Sequence, residues 1–247
     1  MKQFTFKLWE GNSPYDGSEI VAIISNLVRP SKNIKTGPMS QLWILPKNEA
    51  PWEAIKREGG DNCVCGDCIY TPLRAKRARK NGHKIPSCYV GRVAFRAPSR
   101  VWSGINKSKV QLEEGLKAIK ESGFPVRYGA YGDPAMLPLW LIKLVGKSAL
   151  EATNGKRIHT AYTHQPHRVW ASHLKSTAMA SVNSGYDGKV YREFGWRTFR
   201  VTEKPEVDDG EIICPNFTHG VQCIACGLCD GVRGPHDKRK SITIPKH

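Results

Sequence analysis

The fold is decided by two neighbouring segments, VRYGAY at residues 126–131 and LPLWLIKLVGKSAL at residues 137–150. The first is short and apolar, as in a buried strand, and the second is typical of a strongly apolar helix. Downstream, strand-like runs follow at 158–162, 177–182 and 196–201, with a short helical run at 188–194. This alternation predicts an α/β protein whose β-α units form a parallel sheet or a partial barrel.

The region before residue 126 mixes strands, loops and helices. Strand-like runs occupy residues 4–9 and 20–24, and a short helix is predicted at 51–58. Apolar residues from Val110 to Ile119 recur at helical spacing until Ser122 and Gly123 end the run. The predicted organisation is a single α/β domain over residues 1–247, with small metal-bound cysteine-rich loops at 61–91 and 211–234.

Charge and hydropathy constrain the partners and the location of the chain. The 38 Lys and Arg residues exceed the 22 Asp and Glu residues, and the formal net charge is +16. This excess favours a polyanionic partner, with nucleic acid first, although a basic composition that serves only solubility is the alternative. No run reaches the roughly 18 apolar residues of a bilayer-spanning helix, and residues 1–7 lack a signal-peptide core. A cytoplasmic protein without a membrane partner is therefore predicted.

A dense group of cysteines lies near the C-terminus. Cys223, Cys226 and Cys229 follow C-x2-C-x2-C spacing, and Cys214 stands upstream in a Cys-Pro pair. Two-residue gaps let successive sulfurs converge on one centre, and Gly227 permits tight wrapping. The segment resembles bacterial ferredoxin-type loops, in which three close cysteines and a remote Cys-Pro hold a 4Fe-4S cluster, although here the Cys-Pro comes first. The resemblance implies such a cluster; zinc is the alternative, because four-cysteine zinc sites also use C-x2-C hairpins.

A second group of cysteines lies in the N-terminal half. Cys63, Cys65 and Cys68 fall within six residues, and Cys88 follows after a 19-residue insertion. A single residue between Cys63 and Cys65 makes it awkward for both to bind one zinc ion. We therefore expect Cys65, Cys68 and Cys88 as ligands of zinc or of a second iron-sulfur cluster, with Cys63 as the fourth. His83 could replace one cysteine, and buried, reduced cysteines are the alternative. Disulfides are not expected in a reducing compartment.

The insertion of the N-terminal cysteine group carries a dense basic run. Such a run is the footprint expected of a phosphate-binding surface, and a metal-pinned loop would hold it in shape at reduced entropic cost. An ordinary solvated face is the alternative. Arg92, Arg96 and Arg100 extend this surface, with Trp102 as a base-stacking platform. The predicted nucleic-acid-binding residues are Arg74, Lys76, Arg77, Arg79, Lys80 and Lys84.

Polar residues follow four successive predicted strands. These are Asp133, His164, Asn183 and Glu203. Because the carboxyl ends of parallel strands meet at one edge of a sheet, we expect these side chains to share a cleft, with Asp133 and His164 as candidate catalytic residues. The alternative is that Asp133, which precedes a proline, is a turn residue and that His164 satisfies a backbone carbonyl.

The alternating layout, the cysteine loops and the polar strand ends together resemble a degenerate radical S-adenosylmethionine barrel. Cys63, Cys65 and Cys68 give C-x-C-x2-C where that family has C-x3-C-x2-C. Further segments are similar to an uncharacterised protein family of bacteriophages and mobile elements, and the resemblance implies a phage-type source and the host-cell cytoplasm. These segments are residues 35–37, 129–134, 162–165 and 195–201.

Two functional hypotheses follow from the sequence. The first is a phage-type metal-binding protein, with iron-sulfur or zinc centres, that binds nucleic acid through its basic surface. The second is a radical S-adenosylmethionine-like or other redox enzyme that uses an iron-sulfur cluster, with Asp133 and His164 near its substrate. G-x-S-x-G, H-E-x-x-H and G-x-G-x-x-G motifs are absent from the sequence, so common hydrolase and dehydrogenase chemistries have no direct support.

Overall fold

The computed structural model of the chain describes residues 5–82, 88 and 96–245. Its strands are β1 (Thr5–Asn12), β2 (Glu19–Ser25), β3 (Ser40–Pro46), β4 (Val126–Arg127), β5 (Tyr162–Thr163), β6 (Met179–Val182), β7 (Thr198–Thr202), β8 (Glu211–Ile213) and β9 (Ser241–Pro245). Its helices are α1 (Pro51–Ala54), α2 (Asn62–Cys65), α3 (Pro72–Lys80), α4 (Arg96–Ile105), α5 (Leu112–Ser122), α6 (Leu139–Ala152), α7 (Gly185–Glu193), α8 (Pro215–His219) and α9 (Cys223–Cys226). Two 3-10 helical segments span Pro134–Met136 and Val169–Ser176.

The strands form two sheets that are joined through β4. In the first sheet β1, β2 and β3 are antiparallel neighbours, and β4 pairs in parallel with β3. The second sheet has the order β5-β6-β7-β9-β8, and every neighbouring pair is parallel. A parallel bridge between Arg127 and Thr160 connects the two sheets just before β5 begins. The predicted α/β class, with a parallel sheet built from alternating β-α units, is confirmed.

The centre of the hydrophobic core is formed by β2 and β3. Nearly all of their residues are buried, which explains their continuous apolar runs. Helix α5 packs against β1 and α6. Gly115 in α5 permits this approach, because a Cβ atom there would lie 2.2 Å from Cδ2 of Leu8. Each large aliphatic side chain buried in this core contributes about 1.5–3 kcal/mol of transfer free energy.

The lengths of several elements differ from the predictions. The helix expected at 137–150 runs from Leu139 to Ala152, and the helix expected at 51–58 covers only Pro51–Ala54. Regular strand geometry covers only Val126–Arg127 of the run expected at 126–131, although residues 130 and 131 still form backbone hydrogen bonds with β3. Gly129 and Gly132, at φ +65° and +82°, bend the chain there, since a positive φ leaves the extended strand conformation.

Candidate functional site

The four C-terminal cysteines line one pocket, and Thr160 shares its wall. Cys214 directly follows β8, and its backbone N–H donates to the carbonyl of Thr243 at 2.8 Å. Cys223 and Cys226 are the first and last residues of α9. The buried Cys229 follows three residues later. Thus the end of a strand, a single helical turn and the loop after it bring together the cysteines that the spacing predicted as one group.

Backbone hydrogen bonds hold the C-terminal cysteine loop against two other segments. The N–H groups of Cys223 and Ile224 donate to the carbonyls of Lys35 and Thr36, at 3.0 and 3.2 Å. The carbonyl of Cys229 accepts from the N–H of residue 161, just before β5, at 3.0 Å. The loop is therefore anchored to the sheet and to the turn at residues 33–37.

Asp230, the residue after Cys229, is fully buried and faces four arginines. The Nε atoms of Arg157 and Arg233 lie 2.9 and 2.7 Å from its Oδ2 atom. Nη1 of Arg239 lies 2.5 Å from Oδ1, and Nη1 of Arg197 lies 3.8 Å from the same oxygen. A buried carboxylate costs much free energy unless it is paired, so these guanidinium groups make its burial possible.

The same arginines also bind the backbone of the cysteine loop. Arg233 donates to the carbonyl of Gly227 at 2.9 Å, and Arg239 donates to the carbonyl of Gly231 at 2.7 Å. Charged donors make strong hydrogen bonds to carbonyl oxygens. The network around Asp230 therefore holds the loop that carries Cys226 and Cys229 in one shape.

Burial controls the electrostatics of the C-terminal thiols. It raises the pKa of Cys223 to about 11 and also raises the pKa of Cys226 and, further, that of Cys229. The Tyr162 hydroxyl opposes this at Cys229 by hydrogen bonding to the sulfur. The thiols are therefore protonated at neutral pH, and a metal that binds them must displace their protons.

The N-terminal cysteine loop is built around the single turn α2. Cys63 and Cys65 lie in α2, which ends at Gly66 with φ +60° and ψ −137°. The N–H of Cys88 donates to the carbonyl of Tyr70 at 2.7 Å. This hydrogen bond returns the fourth cysteine to the loop after the insertion.

This loop covers the turn after β4 and the carboxyl end of β5. The N–H of Asp133 donates to the carbonyl of Val64 at 2.7 Å, and Nε2 of Gln165 donates to the carbonyl of Cys65 at 3.2 Å. Ligands of parallel α/β sheets bind at such strand ends. The cysteine loop and the strand-end residues therefore belong to one site.

Burial raises the pKa of three of the N-terminal thiols. Burial raises the pKa of Cys63 to about 12, with nearby carboxylates including Asp61 adding to the effect. Burial also raises the pKa of Cys68 to about 12 and that of Cys65 well above its usual range, and these two thiols interact with each other and with Cys88. The choice of Cys65, Cys68 and Cys88 as ligands, with Cys63 as the fourth, stays a prediction.

Three of the four polar strand-end residues come together. Asp133 accepts hydrogen bonds from the N–H of Ala135 at 2.9 Å and of His164 at 2.7 Å. The ring of Tyr70 meets the ring of His164 edge-on, with the centroids 5.5 Å apart. The Tyr70 hydroxyl donates to Oδ1 of Asn183 at 2.5 Å. Asp133, His164 and Asn183 therefore share one region under the cysteine loop.

The fourth strand-end residue, Glu203, is exposed one residue beyond β7. It has further interactions, so its exposure alone does not define its role. The structure brings Asp133, His164 and Asn183 together through named contacts, and it places Glu203 on the surface.

The two candidate catalytic residues have shifted protonation equilibria. Burial raises the pKa of Asp133 to about 6, against the two backbone hydrogen bonds that favour its ionised form. Burial lowers the pKa of His164 to about 4, so its imidazole is neutral at physiological pH. Because both carboxylate oxygens accept backbone hydrogen bonds, Asp133 also has the turn role expected of Asp before Pro.

The basic run forms helix α3, and two of its arginines bind other parts of the protein. Arg74 is half-buried and donates to the carbonyls of Gly66 and Cys68, at 2.9 and 3.3 Å. Arg77 is exposed and pairs with Glu58 at 2.6 Å. Arg74 therefore supports the cysteine loop, which sequence reasoning did not predict.

The remaining cations of α3 lie on the surface. Lys76, Arg79 and Lys80 are exposed. Lys76 and Lys80 line a groove of about 270 Å³, and Arg57 from the loop after α1 lines it as well. Arg74 and Arg77 also line this groove, together with the acidic residues Glu58 and Asp61.

The predicted extension of the basic surface is placed only in part. Lys84, His83 and Arg92 lie outside the described residues. The indole N–H of Trp102 donates to the carbonyl of Pro46 at 2.7 Å, and its ring packs against the core. Trp102 thus has a packing role that was not predicted from the sequence. Arg96 and Arg100 are exposed in α4.

The described residues contain neither an assembled metal site nor a membrane-spanning helix. Across residues 5–82, 88 and 96–245, no three or more His, Cys, Asp or Glu side chains are arranged so that they could hold a metal ion. The four C-terminal cysteines line one pocket, but their sulfur atoms do not converge on one point. No helix within the same ranges is long and apolar enough to cross a membrane. No protein-family model, curated protein or solved structure matches the chain.

Sequence reasoning missed several residues of the site. Asp230 and its arginines were not predicted, although Asp230 adjoins Cys229 and Arg233 follows three residues later. Tyr70 and Tyr162 were also missed, since a single aromatic residue in a loop or strand is usually a packing residue. Their contacts with His164 and Cys229 exist only in the folded chain.

Proposed function

We propose that this chain is a metal-centre protein that binds nucleic acid. The observation that carries the metal part is the pocket lined by Cys214, Cys223, Cys226 and Cys229. Thiolates are the preferred ligands of iron-sulfur clusters and of structural zinc. The residues fit such a group by their chemistry, and binding would require the sulfurs to close further on the metal.

An iron-sulfur cluster is the better fit for the C-terminal centre, and zinc is the alternative. The C-x2-C-x2-C spacing supports the cluster. A cluster distributes its four thiolates over several irons, whereas zinc draws them to within about 2.3 Å of one ion. A cluster would supply one-electron chemistry, and zinc would only stabilise the loop. The protein supplies the anchored loop and the arginines around Asp230 in either case.

Metal content tests this part of the proposal. Protein purified without oxygen should contain iron, with visible absorbance, or colourless zinc in stoichiometric amount. Cys223→Ser with Cys226→Ser should remove the C-terminal metal, and Cys65→Ser with Cys68→Ser should remove a separate N-terminal one. Cys63→Ala should weaken the N-terminal metal and leave the C-terminal one loaded, because Cys63 is the predicted fourth ligand of the N-terminal group. Protein with neither iron nor zinc would contradict the proposal.

The nucleic-acid part rests on charge and on the groove at α3. The chain has a formal net charge of +16, and Lys76, Lys80 and Arg57 line one concave surface. Such surfaces bind phosphates largely through release of counterions. Helix α3 is held to the cysteine loop by Arg74, so a metal centre would keep the basic surface in place.

Charge reversal tests the α3 surface. Lys76→Glu with Lys80→Glu should lower affinity for DNA or RNA by about tenfold or more and reduce the slope against salt by about 2, since each phosphate contact contributes about 0.9. The control is Lys143→Glu with Lys147→Glu on α6, which changes the net charge equally at two exposed positions. Equal losses for both pairs would mean that only net charge matters, and an unaffected α3 variant would rule out this surface.

A second candidate function is a redox or radical enzyme, and one observation favours it. The N-terminal cysteine loop, with Cys65, Cys68 and Cys88 as its three preferred ligands, covers the strand ends through hydrogen bonds from Asp133 and Gln165. A cluster bound by three thiolates retains one iron without a cysteine ligand, as redox enzymes that bind substrate at a cluster require. The strand-end residues His164 and Asp133 lie under the same loop.

Electron paramagnetic resonance of the reduced protein separates the two functions. For the enzyme, S-adenosylmethionine should change the spectrum of the N-terminal cluster in a variant that lacks Cys223 and Cys226. His164→Ala should alter this response without removing iron. A colourless zinc protein, or a spectrum that S-adenosylmethionine does not change, would exclude the radical enzyme.

A further inference from the structure

Trp52 is a half-exposed aromatic residue at the edge of the basic groove. It lies in the single turn α1, and 50% of its surface is exposed. Ile55, three positions later, lines the groove together with Arg57. The N–H of Ile55 donates to the carbonyl of Pro51 at 3.3 Å, which continues the helical turn. Residues three apart on such a turn have Cβ atoms about 5–6 Å apart, so Trp52 adjoins the groove wall.

Two contacts hold Trp52 in place. Its backbone N–H donates to Oγ of Ser99 in α4 at 3.1 Å. Nζ of Lys56 lies over the indole ring, 5.3 Å from its centroid. This cation attracts the ring electrostatically and places a positive charge beside it. A ring that is already held at the surface loses little side-chain entropy when a ligand stacks on it.

Cations lie on both sides of Trp52. On the groove side, Lys76 and Lys80 are exposed and line the groove. On the side of α4, whose first turn binds the Trp52 backbone, Arg96 and Arg100 are exposed. These two arginines are four residues apart on the helix and therefore neighbours on its surface. A phosphate backbone that runs past the ring meets cations before and after it.

The combination of an exposed ring and flanking cations points to one kind of ligand. A half-exposed tryptophan alone needs no functional explanation. Proteins that bind single-stranded nucleic acid, however, stack bases on aromatic rings while cations follow the backbone. In a duplex the bases stack on one another, so they offer no free face to an indole. Trp102, the stacking residue predicted from the sequence, instead packs against the core.

We propose that Trp52 stacks on an unpaired base and that the surface around it binds single-stranded nucleic acid in preference to duplex. This proposal rests on the nucleic-acid part of the proposed function, because it uses the same groove at α3. It adds the type of strand and the residue that selects it. It does not require either cysteine group to bind metal.

Binding of a fluorescent oligonucleotide to the full chain tests the proposal. The probe is a mixed-sequence DNA strand of about 16 nucleotides, the upper end of known site sizes, used alone and annealed to its complement. Fluorescence anisotropy should show tighter binding of the single strand. Trp52→Ala should weaken single-strand binding by about tenfold, the scale of one lost stacking contact, and duplex binding by less than about twofold. Trp52→Phe should recover most of the affinity.

The salt dependence separates stacking from charge. Stacking releases no counterions, so Trp52→Ala should leave the slope of log affinity against log salt unchanged. Trp140→Ala on α6 is the matched control, because Trp140 is 47% exposed, and it should leave both affinities unchanged. Circular dichroism shows whether each variant folds. Comparison of Trp52→Phe with Trp52→Leu keeps the test valid if Trp52→Ala does not fold, since leucine is apolar but has no aromatic face.

Several outcomes would overturn the stacking role. These are a preference of the wild-type protein for duplex, equal losses of single-strand and duplex affinity in Trp52→Ala, equal affinities of the Phe and Leu variants, and an equal loss in Trp140→Ala. If Lys76→Glu with Lys80→Glu still weakens binding in such a case, the proposed function remains and only the stacking role is lost. Wild-type protein that binds neither probe would overturn both.

Discussion

At the scale of a single residue, Asp230 stabilises the shape of the C-terminal cysteine loop. Its carboxylate is fully buried among four guanidinium groups, and all four also donate to carbonyls of the loop that carries Cys226 and Cys229. Asp230 directly follows Cys229. Loss of its charge would remove this partner from the buried Arg197 and from two partly exposed arginines, while Asp237 would still pair with Arg239.

Asp230→Asn should lower the free energy of unfolding by about 3 kcal/mol, because breaking a buried ion pair leaves an uncompensated charge. Urea unfolding of the metal-free protein measures the change. Asp209→Asn is the matched control at an exposed carboxylate nearby, and it should change stability by less than about 0.5 kcal/mol. A similar small effect at Asp230 would show that water already screens this network.

Metal binding at the C-terminal centre should depend steeply on pH. Burial raises the pKa of Cys223 to about 11 and raises the pKa values of Cys226 and Cys229, so these thiols are protonated between pH 6 and pH 9. Each proton that a metal displaces adds about a tenfold gain in apparent affinity per pH unit. Zn²⁺ affinity should therefore rise with pH throughout this range.

Competition titrations at several pH values, with proton release followed in weak buffer, measure this dependence. Constant affinity from pH 6 to pH 9 would mean that the thiols are already ionised. In the metal-free protein, the same raised pKa values make the free energy of unfolding fall as the pH rises. The unfolded thiols ionise first as the pH rises above about 8.5, so the stability from this burial is lost between that pH and the folded pKa values.

At the scale of elements, the turn at Gly66 sets the course of the N-terminal cysteine loop. Its backbone, at φ +60° and ψ −137°, lies in a region that essentially only glycine adopts. An added Cβ atom would also lie 2.5 Å from the side chain of Gln165. This glycine allows α2 to end and lets the loop approach the end of β5.

Gly66→Ala should destabilise the protein by about 1–3 kcal/mol through backbone strain, with additional cost from the clash. It should also reduce metal binding at Cys65 and Cys68 and leave the C-terminal centre loaded. Gly123→Ala is the control, because Gly123 has φ +72° but no atom within 4 Å of the added Cβ. Thermal unfolding and metal content of both variants measure the outcome, and equal effects would exclude a special role for the loop.

At the scale of the molecule, the C-terminal cysteine loop connects segments that are far apart in the sequence, namely residues 33–37 and the segment before β5. Helix α9 donates backbone hydrogen bonds to Lys35 and Thr36, and the loop after it binds the segment before β5. The core around β2 and β3 is instead formed by apolar burial. Metal should therefore stabilise the first region locally and leave the second almost unchanged.

Removal of the metal by a chelator should increase hydrogen exchange in residues 33–37 and 222–231. Residues 20–25 and 40–46 should remain protected, because their protection depends on the core. Mass spectrometry of both forms measures this difference, with the Cys223→Ser and Cys226→Ser variant as the reference that metal does not affect. Equal loss of protection everywhere would mean that the metal supports global folding.

The sequence by itself determined the α/β class, the positions of the main helices and strands after residue 109, and the grouping of the C-terminal cysteines. Hydrophobic periodicity and close cysteine spacing are local properties, so they can be recognised in the sequence alone. The interruption of β4 was not predictable from apolar character, because Gly129 and Gly132 take positive φ values and the chain returns to β3 at residues 130 and 131.

Only the tertiary structure decided which distant residues meet. It placed Tyr70 against His164 and four arginines around Asp230. Such contacts depend on how strands separated by many residues pair, and a charged or aromatic side chain carries no local signal of its eventual partner.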